Sequence, residues 1–351
     1  MCDFSGYGGP SEEWTALEKS LPPASKLTQE ELKNATNTWR EKAAQEEMEI
    51  LSSKVSIRDH TIAARDGTPL EARSYRPSSV DASQSLPIYL HFHGGGFFFG
   101  TLRSEDSICS RIAVDVEVVV INVNFRHTPE HTYPIPWNDS EDTLGWVLSH
   151  ADDFGGDNTE VVVGGISAGA MLTAALMQTM QREHPDVISK NIKGQVLMVP
   201  PVLHEDRYDK YLQQLKDASV SSYVENASAP ILPLPRWRMF NELLYKEKPD
   251  FEDRRANPGN AMAQEVAKLP PATFGICGLD LLRDEGILYA KLLQENGVPT
   301  NVSLFKGVPH GFRRFGDSLS ASKAWDNVMH EGIKWALSKP APSANLDIHV
   351  Y

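Results

Sequence analysis

A serine able to act as a nucleophile stands at Ser167, inside Gly165-Ile166-Ser167-Ala168-Gly169. The apolar run 160–164 precedes it and a helical pattern begins at 168, so the serine falls on a strand-to-helix turn. Such a turn is tight and needs small neighbours, which the flanking glycines supply. A hydroxyl is a poor nucleophile until a base takes its proton and donors stabilise the oxyanion that its attack creates. The stretch "HFHGGGFFFG", residues 91–100, offers such donors. Gly94 and Gly95 carry no side chain, so their N–H groups can turn toward one point, and the N–H of Ala168 at the helix start can join them. On their own, glycines after a strand would indicate no more than a turn.

The base must be a histidine. His310, in "GVPHGFRRF", follows the last strand pattern and precedes the last long helix, a loop position at the carboxyl edge of a sheet. His91 belongs to the strand before the glycines, and His93 is suited to bracing the glycine loop by hydrogen bonding. The other histidines lie in polar, surface-like segments. A carboxylate to orient the base should come from another strand end, where "GLDLLRDEG" presents Asp280 and, one helical turn later, Asp284. Asp280 has the better position; Asp284 could instead cap a helix or pair with Arg283.

These residues need a scaffold of strands that end on one side. A hairpin across Asp66-Gly67 joins "VSIRDHTIAARD" to "LEARSYRP". Strands are predicted at 87–92, 118–124, 160–164, 194–199, 272–277 and 300–305, and helices at 104–115, 138–151, 168–183, 282–295 and 318–337. Continuous apolar runs such as "VVVINV" fit strands covered on both faces, hence a mostly parallel sheet flanked by helices and opened by an antiparallel pair. Residues 11–53 read as two or three helices. About 70 residues separate the strands ending near 199 and starting near 272, far more than a crossover needs. Within them "RYDKYLQQLKDA" and "RWRMFNELLYKE" are helical in pattern, so the segment reads as an insertion able to lie over the sheet with the N-terminal helices.

Composition narrows the functional classes. The 351 residues, 41% hydrophobic and 23% charged, can bury a large core without disulfides or metals. Cys2, Cys109 and Cys277 are widely separated and form no metal-ligand pattern, which favours a reducing, cytoplasmic setting and no metal. A net charge of −13 opposes nucleic-acid binding. The N-terminus lacks the basic and apolar regions of a secretory signal, and no apolar run reaches the roughly 20 residues of a membrane span. The sequons at Asn34 and Asn226 therefore read as coincidental.

The order Ser167, Asp280, His310 is the one found in α/β-hydrolases. The chain resembles the hormone-sensitive-lipase-like branch of that family, which includes bacterial family IV esterases and plant carboxylesterases. The resemblance rests on "HGGGFFFG", "NFRHTPEHTYPIPWND", "GISAGA" and "GLDLLRDEG" with "VPHGF", spanning about residues 87–315. Two features depart from the family pattern. Ile166 and Ala170 stand where it usually has Asp and Gly, and Arg126-His127-Thr128-Pro129 replaces R-L-A-P. Glu130 is read as a brace for the glycine loop or a partner of Arg126, and Asp139 as structural or helix-starting.

The resemblance implies an α/β-hydrolase fold with a helical cap: residues 1–53 as the N-terminal part of the cap, 54–200 and 257–340 as the two parts of the core, 201–256 as the cap insertion and 341–351 as a tail. It implies a carboxylesterase acting on a small, largely apolar ester through Ser167, His310 and Asp280, with Gly94, Gly95 and Ala168 as oxyanion hole and no cofactor. Phe97, Phe98, Trp237 and Phe240 are the expected substrate-pocket residues, with Trp14, Trp39, Phe99 and Tyr245 as further candidates or as packing. Lactone opening, deacetylation, amide cleavage and acyl transfer use the same groups, and some relatives are receptors without catalysis. Dimerisation through the last strand and helix is common among relatives.

Overall fold

The computed structural model describes residues 1–22 and 27–351. Among the described residues nine strands form one sheet: β1 (Val55–Ala63), β2 (Pro69–Pro77), β3 (Leu86–Phe92), β4 (Val119–Val123), β5 (Gly156–Ile166), β6 (Ile192–Met198), β7 (Ala272–Leu279), β8 (Thr300–Pro309) and β9 (Ile348–Val350). Their order is β1-β2-β4-β3-β5-β6-β7-β8-β9. β2 pairs antiparallel with β1 and β4, and the remaining pairs are parallel.

The longer helices are α1 (Glu12–Ser20), α2 (Gln29–Leu51), α3 (Asp106–Val116), α4 (Ile135–Ser149), α5 (Ala168–Glu183), α6 (Leu234–Leu244), α7 (Arg283–Glu295) and α8 (Ala321–Leu337). Strand side chains alternate between two cores. Ile88, Leu90, Ile121 and Val163 pack with α4, α5 and α7, whereas Tyr89, Val120, Val162 and Phe305 pack with α3 and α8. Both faces are therefore dry, which is why these strands read as unbroken apolar runs.

Several elements differ from the sequence reading. α4 begins at Ile135, earlier than expected, because Pro136 lies in its first turn, where a missing N–H costs nothing. β5 begins at Gly156 and β8 continues to Pro309. The tail carries β9, whose pairing with β8 is extended when Tyr351 stacks on Phe305 at 5.4 Å. "RYDKYLQQLKDA" is helical only over Asp209–Leu212. Beyond it the backbone of Gln214 and Lys216 pairs with Cys2 instead, while Tyr211 and Leu215 turn into the core.

Arg126 does not pair with Glu130. Its guanidinium holds Asp139 at 2.6 Å and Asp66 at 2.6 Å, tying α4 to the β1–β2 hairpin turn. Asp139 is fully buried and also accepts the Arg126 N–H. Glu130 is exposed and pairs with Lys33 of α2. His204 and His330, expected at the surface, are buried. Asp139→Ala removes the inner partner of this pair, so urea unfolding should show a loss of about 3–5 kcal/mol. A loss under about 1 kcal/mol, the range of exposed pairs, would show that the pair does not anchor α4.

Candidate active site

Ser167 follows β5, Asp280 follows β7 and His310 follows β8, so all three leave the carboxyl edge of parallel strands. Ser167 Oγ lies 2.9 Å from His310 Nε2, and His310 Nδ1 lies 2.8 Å from Asp280 Oδ2. Asp280 is 1% exposed and its Oδ1 accepts the Leu282 N–H at 3.1 Å. A carboxylate acceptor on Nδ1 leaves Nε2 free to accept from the serine hydroxyl.

The turn at Ser167 has φ 54° and ψ −116°, a conformation a non-glycine residue adopts only when its surroundings enforce it. Gly165 and Gly169 are required there: a Cβ on Gly169 would collide with the Phe92 carbonyl, and one on Gly165 with the backbone of Gly169. Ala170, buried, tolerates its methyl. Ile166 lies against the glycine loop, where a Cβ on Gly94 would be 2.8 Å from the Ile166 carbonyl oxygen. Among the described residues the backbone N–H groups of Gly94, Gly95 and Ala168 donate to no backbone carbonyl. Ala168 is the first residue of α5, where the helix leaves N–H groups unpaired.

His93 is fully buried beneath the loop, stacked on Phe125 at 4.4 Å, and its Nδ1 donates to the Gly94 carbonyl at 3.1 Å. Burial pushes its pKa down to about 4, so it stays neutral. His91 faces Glu105 at 3.2 Å. Asp284 does not touch His310; it accepts from Arg283 at 2.8 Å and from the Ser222 N–H at 2.7 Å.

Phe98, Phe99, Trp237 and Phe240 share one apolar cluster with Leu232, Leu281 and Leu282, beside the Asp280 turn. Phe240 packs directly over Gly96. Phe97 does not join them: its ring stacks on Trp137 at 4.9 Å within the main core. Trp14 packs against Phe315 in the core beneath the other sheet face, and Tyr245 packs with Tyr133 and Trp137. Trp39 is partly exposed under the Arg314 guanidinium.

Sequence reasoning missed Asn226 and Ser222. Asn226 is buried, and its amide donates to the carbonyls of Asp280 at 2.8 Å and Gly278 at 3.3 Å. Ser222 Oγ donates to the Leu281 carbonyl at 2.6 Å. The insertion thus fastens the turn that presents Asp280. The only sequence signal at Asn226 was a glycosylation sequon, and its burial leaves no room for a glycan.

A serine on a strand-to-helix turn, facing a histidine and an aspartate from later strand ends, is the arrangement of an α/β-hydrolase. The chain belongs to that family, in its hormone-sensitive-lipase-like branch: residues 89–314 match the family model described as alpha/beta hydrolase fold. It is 33% identical to the esterase LipI of Mycobacterium tuberculosis (strain ATCC 25618 / H37Rv) over 70% of this chain and 71% of that one. It is 29% identical to an AB hydrolase superfamily protein of Schizosaccharomyces pombe (strain 972 / ATCC 24843) over 93% and 96% of the two chains. Among solved structures, vibralactone cyclase superposes with a TM-score of 0.84 at 27% identity, covering 95% of this chain and 96% of that one. The fold and these relationships are those of serine hydrolases that cleave esters.

Gly169→Ala places a methyl group against the Phe92 carbonyl, so the turn cannot close. The variant should either fail to accumulate as folded protein or, when folded, lose reaction of Ser167 with a serine-directed phosphonate. Mass spectrometry of the labelled protein reads the outcome, and wild-type labelling would disprove the constraint.

Proposed function

We propose that Ser167 is the nucleophile, His310 its base and Asp280 the group that orients the imidazole and stabilises its charged form. The observation that carries this reading is the continuous hydrogen-bonded chain from Ser167 Oγ through His310 to a buried Asp280. His310 takes the hydroxyl proton as the oxygen attacks an ester carbonyl, and returns it to the departing alcohol. The N–H groups of Gly94, Gly95 and Ala168 receive the oxyanion, and water then hydrolyses the acyl-enzyme.

The cap over this site is formed by α2 and by the insertion 201–256, and Phe98, Trp237 and Phe240 supply the apolar wall against which a small, largely apolar ester rests. Their shared cluster beside the Asp280 turn supports that role. Three free cysteines support a reducing, cytoplasmic setting. Among the described residues no helix is long and apolar enough to cross a membrane. Association of two copies through the last strand and helix would use β9, which covers the edge of β8, and α8.

A second reading keeps the acyl-enzyme and changes what accepts the acyl group. The similarity to vibralactone cyclase, over nearly the whole of both chains, favours testing a hydroxyl of the acyl group itself in place of water, which would close a lactone and release Ser167.

Ser167→Ala should lower turnover of p-nitrophenyl butyrate by roughly 10³-fold or more while the circular dichroism spectrum is unchanged. Activity equal to wild type would dismiss Ser167 as nucleophile. An acyl-chain series with and without an added alcohol, followed by lactones, then defines the acceptor, the acyl donor and the pocket length.

A further inference from the structure

α2 presents Lys33, Asn37, Arg40 and Glu41 at intervals of four, seven and eight residues, the spacing of a single helix face. That face is fastened to both ends of the glycine loop. Arg40 Nη1 donates to the Gly94 carbonyl at 3.1 Å, and Asn37 Oδ1 accepts the Gly100 N–H at 2.9 Å. Thr101 Oγ1 donates to Glu41 at 2.7 Å, and Lys33 Nζ donates to the Thr128 carbonyl at 3.0 Å. Arg40 is itself held by Glu105 at 2.6 Å, whose other oxygen faces His91 at the end of β3. Although burial opposes charge on Glu105, Arg40 and His91 outweigh it and keep the carboxyl well below its ordinary range.

The contact at Gly94 has a geometric consequence. The Gly94 carbonyl and the Gly95 N–H belong to one planar trans peptide unit, so they point in opposite directions. A guanidinium that fixes the carbonyl toward α2 therefore fixes the Gly95 N–H away from α2. His93 Nδ1 donates to the same oxygen from beneath. Two glycines in sequence would otherwise let this peptide rotate, since Gly95, at φ 140°, adopts conformations closed to other residues.

We propose that Arg40 is a positioning residue for the hydrolytic reaction: by holding the Gly94 carbonyl it keeps the Gly95 N–H aimed at the oxyanion, and α2 is thereby part of the oxyanion hole's scaffold. This rests on the reading of Gly95 as an oxyanion donor to a Ser167 adduct. Arg40 touches no reacting atom, so its loss should weaken transition-state stabilisation and leave ground-state binding nearly unchanged.

The test compares wild type, Arg40→Met and Arg40→Lys in p-nitrophenyl butyrate hydrolysis and in inhibition by an alkyl trifluoromethyl ketone. The ketone adds to a nucleophilic serine and places an oxyanion where the tetrahedral intermediate would have one. Loss of a whole oxyanion donor costs about 10²–10³-fold, so a donor left free to rotate should cost roughly 10–100-fold in kcat, with KM within about threefold. Ketone affinity should fall by the same factor, and Arg40→Lys should recover part of both because its ammonium keeps a donor near Gly94. A Met variant with wild-type kcat overturns the proposal, as does one whose kcat falls while ketone affinity does not. Should Arg40→Met fail to fold, Arg40→Lys, which keeps the charge beside Glu105, carries the same comparison. If wild type itself neither hydrolyses the ester nor binds the ketone, the catalytic reading fails, and this inference with it.

Discussion

The backbone contact between the end of β3 and the start of α5 governs the site. Gly169 approaches the Phe92 carbonyl too closely for any side chain, and Gly165 meets the same point from the strand side. That contact forces Ser167 into a conformation that costs of order 1–3 kcal/mol and stands the serine on the rim of the sheet. It also brings the serine beside the loop that follows β3, because β3 and β5 are hydrogen-bonded neighbours. Ser167 and the glycine loop therefore share one rigid junction. His310 and Asp280 reach it from β8 and β7, beyond β6 in the sheet order.

Much of this geometry could be read from residue types. Strands buried on both faces show as apolar runs, and a strand-to-helix turn between glycines marks Ser167. What stayed hidden depends on contacts between distant segments. The short β9 has no apolar run of its own and exists because β8 offers an edge and Phe305 offers a ring to Tyr351. The helical pattern at 207–218 was interrupted because Cys2, far away in sequence, takes backbone positions there. Phe97, Phe98 and Phe99 are equivalent as letters, yet the loop turns the first into the core and the other two toward α6.

Buried polar groups explain the rest of what composition could not show. Asn226 and Ser222 belong to a segment that reads as cap, and their side chains close the backbone of the Asp280 turn. Arg126 would pair with Glu130 on the basis of proximity in sequence. It pairs instead with the buried Asp139, since a buried carboxylate gains more from a guanidinium than an exposed one does, and with the exposed Asp66 that the hairpin turn brings beside it. For Asn226, Ser222 and Asp139 the partner was chosen by burial, which sequence spacing does not encode.

These contacts give the cap segments two duties. The insertion stabilises the turn that carries Asp280, and α2 holds the loop that carries Gly94 and Gly95. Ile166 shows why the second duty falls to α2. On the side of Ser167 the loop meets an isoleucine, where the family usually has an aspartate, and an aliphatic side chain offers contact without hydrogen bonds. The hydrogen bonds that orient the Gly94 peptide come from Arg40 above and His93 below. Without the Arg40 contact, His93 alone would hold the Gly94 carbonyl. The Phe98–Phe240 cluster beside α6, by contrast, is apolar packing, so the orientation of the Gly94 peptide rests on α2 and His93 and not on α6.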